Sequence, residues 1–104
     1  MQKNPPAVIG ANDHDLLDQI SRARDLALTA GVLSVKQKLL IALALDAAHG
    51  AVNGVRSLAL QVMQQGATRA EIMETLRVVN HVCGTGSIYT AAAALQDIWQ
   101  EPER

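Results

Sequence analysis

The residues able to move a proton, attack an electrophile or hold a charged ligand fall into two clusters. In the first, His49, Asn53 and Ser57 recur every four positions, with Arg56 one step aside. A continuous helix would align them on one face. A histidine flanked by an amide and a guanidinium suits proton transfer on a molecule whose carboxylate the arginine holds. The plainer alternative for His49 is a cap on the carbonyl end of the helix before it. The second cluster is Glu74, Arg77, Asn80, His81 and Cys83. Glu74 and Arg77 are spaced as a surface helix pair, with Glu74 also a candidate for supporting a ligand. His81 lies one turn beyond Arg77. Cys83 is the only thiol, and it falls in the last turn of its helix, where the dipole disfavours a thiolate. It is expected as a small buried hydrophobe. The catalytic candidates are therefore His49, His81 and Cys83, with Asn53, Arg56, Glu74 and Arg77 as ligand-holding candidates.

Other chemistries find less support. Two histidines without carboxylates at ligand spacing make no metal site, and His14, between Asp13 and Asp15, reads as solvated. Gly84 and Gly86 precede a helix start, which offers amides to an anion. No strand leads into them and no lysine follows, so a nucleotide cradle is not expected, nor is any other cofactor. Tyr89, one turn further, is expected in the core. With a formal charge of −1 and only Tyr89 and Trp99 as aromatics, the chain has neither a basic face nor a stacking platform for nucleic acid.

Positioning these residues falls to helices. Of the 104 residues 49% are apolar, Phe is absent, and charged residues make up 18%. That composition suits one close-packed domain and excludes a disordered chain. Residues 1–12, with Pro5, Pro6 and an isolated Val8–Ile9 pair, show no sustained period and read as an N-terminal arm. A single domain is expected over 13–101, of about five helices. The first is capped by Asn12 or Asp13, carries Leu16, Leu17, Ile20, Ala23 and Ala27 at helical spacing, and stops at Gly31. Ser34-x-x-Gln37 announces the second, which is apolar almost all round from 39 to 48. A helix without a polar face is buried on every side. So small a chain cannot surround it, which points to a subunit interface. The third spans 51–65. Thr68-x-x-Glu71 opens the fourth, and the fifth runs from Gly84–Ser87 to about 100, with small residues at 91–94 for close helix approach. No segment alternates with period two, so the fold is all-α.

The run ALQVMQQGATRAEIMETL, from Ala59 to Leu76, resembles the carboxymuconolactone decarboxylase family and its alkylhydroperoxidase AhpD-like relatives. Gly66, Ala67, Thr68, Glu71, Ile72 and Glu74 fill the places of that family's motif, and the likeness extends over about 33–95. The resemblance implies an all-α AhpD-like domain assembling as a homotrimer or hexamer, which would account for the buried second helix. The peroxidase branch carries a Cys-x-x-Cys pair with a Glu upstream and a His downstream. Here those places fall at Ala51 and Gly54, near Leu39, and at Leu58, so none is kept. A mechanism in which one thiol attacks peroxide and a second resolves the sulfenic acid is closed to this chain alone.

The function expected is that of a carboxymuconolactone decarboxylase-like protein, doing acid/base chemistry of lyase type on a small carboxylate-bearing molecule. One alternative is a peroxiredoxin-type antioxidant using Cys83 with an external reductant; another is a non-catalytic oligomeric binding module. The expected partner is the chain itself, with a small-molecule ligand, and neither nucleic acid nor membrane. The longest apolar run, 39–45, is far short of the ~20 residues that span a bilayer. The chain opens without a signal-peptide pattern, so the expected location is cytoplasmic.

Overall fold

Six helices carry the chain in the computed structural model, which describes residues 4–100. They are α1 (Pro5–Asn12), α2 (His14–Leu28), α3 (Val35–Ala48), α4 (Val52–Gln64), α5 (Arg69–Cys83) and α6 (Thr85–Leu95), with no strand among the described residues. The all-α expectation holds. The count exceeds the expected five because residues 5–12, expected as an arm without a period, form α1. Pro5 stands at its first position and the Asn4 side chain accepts from the Ala7 amide at 3.2 Å.

The chain divides into two compact units, Met1–Gly31 and Val32–Arg104. In the first, α1 packs on α2 through Gly10, where a Cβ would come within 2.8 Å of the Leu17 side chain. Asp13 ends α1 and caps α2, its Oδ1 accepting from the Leu16 amide at 3.0 Å. The stop expected at Gly31 comes earlier. Thr29, in extended conformation, follows Leu28 and ends the helix.

In the second unit α3 packs against α4, α5 and α6, and α6 also packs against α4 and α5. Both predicted capping boxes form. Ser34 and Gln37 exchange hydrogen bonds of 2.8 and 3.1 Å at the start of α3. Thr68 and Glu71 do the same at the start of α5, at 3.0 and 3.1 Å. Glycines then reverse the chain. Gly50 (φ 77°) and Gly66 (φ 91°) take the left-handed conformation, and each makes a Schellman turn. At the first, the Ala51 amide donates to Asp46 O and the Gly50 amide to Ala47 O; at the second, Ala67 donates to Val62 O and Gly66 to Met63 O.

The core of this unit is built from Leu39, Leu43 and Ala47 of α3, Val55, Ala59 and Val62 of α4, Ile72, Leu76 and Val79 of α5, and Ala91, Ala94 and Leu95 of α6. The fully buried Ala91 and Ala94 are the expected close-approach positions. On α3 only the stripe at i, i+4 and i+8 is buried within the chain; Ile41 and Leu45 stay 49% and 55% exposed, because three neighbouring helices cover one side of a cylinder. Helix α6 ends at Leu95 rather than near 100. Beyond it the Asp97 carboxylate is drawn to Arg56, and the Trp99 ring to Met63 and Arg69.

Candidate functional site

The two sequence clusters meet different fates. The Schellman turn at Gly50 separates α3 from α4, so His49 stands at the C-cap of α3, exposed, and shares no helix with Asn53 and Ser57. The alignment that a continuous helix would have produced does not form. Arg56 is already engaged. Its Nε and Nη2 donate to Asp97 Oδ2 at 3.1 and 2.6 Å, and its Nη1 donates to Asn53 Oδ1 at 2.6 Å. A guanidinium neutralised by a carboxylate and bonded to an amide has little left for a ligand. The first cluster is a tie between the start of α4 and the chain after α6.

Beside that tie lies a close approach the sequence did not reveal. Gly54, in the first turn of α4, faces the side chain of Asp46 on α3; a Cβ on Gly54 would collide with Asp46 Oδ2 and lie 2.8 Å from its Cγ. The carboxylate sits at the positive end of a helix whose cap residue, Ala51, offers no side-chain acceptor. By the family resemblance Gly54 is one of the two cysteine places, and here the Asp46 side chain occupies the space a Cβ would take.

The second cluster lies along α5 and opens onto a cleft. Arg77 and Asn80 line one of about 600 Å³ between α5 and α6, together with Thr85, Ile88, Met73 and Leu76. Thr85 Oγ1 donates to Asn80 Oδ1 at 3.3 Å. The Glu74–Arg77 pair does not form, and among the described residues Arg77 has no carboxylate partner. Glu74 and His81 are exposed on the same helix. Cys83 is exposed, not buried, as is Val82 at 73%, because the last turn of α5 runs past the core. Tyr89 is likewise 73% exposed instead of filling the core. Asn80 lies one turn from Arg77 on α5, whereas Thr85 and Ile88 join them only through the packing of α5 on α6, a placement that spacing alone does not give.

Glu71 is the group whose acidity the fold clearly changes. Its hydrogen-bonded ion pair with Lys36 (Nζ to Oε2, 2.8 Å), followed by the Thr68 amide, holds its carboxyl below the ordinary glutamate value. This is the work of a cap and a tie between α3 and α5. One further grouping is His14, Asp15 and Asp18, whose ligand atoms lie within 4.8 Å of one another; all three are exposed on one turn of α2. Among the described residues no helix is long and apolar enough to cross a membrane.

Together the helices define an all-α protein of the AhpD-like class, lacking the thiol pair and bearing an arginine-edged cleft between its last two helices. The sequence profile of the carboxymuconolactone decarboxylase family matches residues 14–97, and the chain belongs to that family. A crystal structure of a carboxymuconolactone decarboxylase family protein from Legionella pneumophila, in its apo form, is similar with a TM-score of 0.83. The two are 29% identical, and the match covers 90% of this chain and 84% of that one. No curated protein sequence matches the chain.

Proposed function

We propose that this family member binds a small carboxylate-bearing molecule in the α5–α6 cleft and transfers a proton on it, with Arg77 holding the carboxylate and His81 as acid/base group. The observation that carries this reading is Arg77, a cation without a carboxylate partner among the described residues, edging a cleft with Asn80 and Thr85. Imidazole accepts and returns protons near neutral pH, and His81 is one helical turn from Arg77. In a decarboxylation carbon dioxide leaves, the carbon keeps the electron pair of the broken C–C bond, and a protonated imidazole would donate its proton to that carbon. His49 remains the second acid/base candidate. Arg56 donates to both Asn53 and Asp97, so the anion-holding role passes to Arg77.

The test uses carboxymuconolactone, following its decarboxylation by NMR in deuterated water. His81→Gln is expected to lower turnover by about 100-fold or more, as loss of a general acid does. Arg77→Met is expected to raise KM with less effect on kcat. Unchanged turnover in His81→Gln and in the His49→Gln, His81→Gln double variant would remove the reading.

Exposure of Cys83 favours a second reading, a one-thiol peroxidase. Its thiolate would attack a peroxide oxygen and the O–O bond would break; an external thiol would condense with the sulfenic acid, losing water, and a second would free Cys83 from the mixed disulfide. Mass spectrometry after mild peroxide decides it: an unmodified Cys83 removes this reading.

A further inference from the structure

The cleft beside Arg77 does not end there. A second cleft, of about 270 Å³, is lined by Met73, Leu76 and Ile88, which it shares with the first, and continues to Leu95, Gln96 and Trp99. The two form one groove along α5 and α6, within the size range of small-molecule sites. Its ends differ in chemistry. Arg77, Asn80 and Thr85 stand at one end, where Thr85 is the first residue of α6 and the helix dipole favours an anion. The middle and far end are lined by apolar residues but for Gln96, and Arg77 is the one cation among the described lining residues. From Thr85 to Leu95 the helix rises about 15 Å, so the distance between charged and apolar ends exceeds a small polar acid. Trp99 closes the far end. Its position is fixed by Arg69, whose guanidinium carbon stacks 5.0 Å from the ring centroid, and by an Nε1 hydrogen bond of 3.4 Å to Met63 Sδ.

We propose that the α5–α6 groove is a binding site for an amphipathic monocarboxylate, its carboxylate at Arg77 and its unbranched apolar tail running over Met73, Leu76 and Ile88 to Trp99. This rests on Arg77 as the carboxylate holder in the reading above and departs from it in charge: the groove favours a monocarboxylate with a tail over carboxymuconolactone, which carries two carboxylates. With Arg77 the one cation among the described lining residues and the Arg69 guanidinium engaged on the Trp99 ring, the groove selects one charge, not two. Tail binding follows from burial of methylenes against side chains that are otherwise wet, Met73 being 45% exposed.

Trp99 is the chain's sole tryptophan, so its emission reports on the apolar end directly. The purified protein is titrated with butyrate, octanoate, octanol and the dicarboxylate suberate. Octanoate is expected to shift the emission saturably and to bind roughly tenfold or more tightly than butyrate, because four further methylenes leave water. Arg77→Met is expected to weaken octanoate binding about tenfold, and Met73→Gln to weaken octanoate but not butyrate. Equal, Arg77-dependent binding of butyrate and octanoate, detected by NMR, would overturn the tail while leaving the carboxylate reading standing. Octanol binding as well as octanoate, with Arg77→Met indifferent, would remove the carboxylate and with it the proposal. Suberate binding as tightly as octanoate would overturn the single-charge ligand. No saturable response to any probe, by emission or NMR, would overturn both. An emission change with protein concentration alone would seat a second copy in the groove and overturn the proposal.

Discussion

Glycine in a helix normally costs about 0.5–1 kcal/mol relative to alanine, and Gly54 shows what that cost secures here. Its missing side chain admits the Asp46 carboxylate to the first turn of α4. Gly54→Ala is therefore expected to give no gain in stability, or a loss, by urea unfolding. In an Asp46→Ala background the same change should gain about 0.5–1 kcal/mol, and the difference between the two backgrounds measures the contact. Much at this scale could not be read from spacing. Asp46 and Gly54 are eight residues apart across a turn, and Arg56 and Asp97 are separated by 41. No local pattern announces either pair. Cys83 and Tyr89 are exposed against expectation for a related reason: residue type predicts burial only where the helix stays over the core, and both lie where it does not.

The elements themselves were the most legible part of the molecule, because their signals are local. Ser34-x-x-Gln37 and Thr68-x-x-Glu71 specify helix starts through hydrogen bonds that close within four residues, and both form. Helix ends were legible where a glycine is required in the left-handed region, as at Gly50 and Gly66, and illegible where tertiary contacts decide, as beyond Leu95. Helix α1 escaped because it has no buried face to impose a period. The tie between α3 and α5 adds a pH dependence. Glu71 titrates below its ordinary value in the folded chain, so its contribution is complete above the unfolded value of about 4.3 and is lost as pH falls through the depressed one. Wild type is expected to melt above Glu71→Gln near neutrality. The gap should close on acidification below about pH 4, and melting curves across that range check it. Added salt should narrow the gap at neutral pH, since the pair is partly exposed.

For the molecule as a whole, the sequence pointed to apolar surface in excess of what one chain can bury, and placed it on residues 39–48. The structure gives that surface a shape. Leu40, Ile41, Ala44 and Leu45 of α3, with Thr75 and Val78 of α5, line a concave apolar face of about 310 Å³. Ile41, Leu45 and Val78 are 49%, 55% and 64% exposed. Faces of this kind mark association sites. The homo-oligomer implied by the family resemblance is accordingly proposed to form through it. Ile41→Lys with Leu45→Lys should lower the mass found by sedimentation equilibrium while far-ultraviolet circular dichroism keeps its helical form. An unchanged mass would move the interface elsewhere. The family was legible because its motif coincides with a capping box and a Schellman turn, both local; the groove was not, since it exists only where α5 meets α6.

The Asp46–Gly54 contact also constrains descent. A sequence of this kind cannot reach a thiol at position 54 in one step without a steric penalty, whereas a change at 46 to a smaller residue opens the position first. The order of substitutions is therefore expected to matter, as it does for sites in contact. Any route from this chain to a two-thiol relative, or back, passes more readily through an intermediate that has neither the carboxylate nor the cysteine.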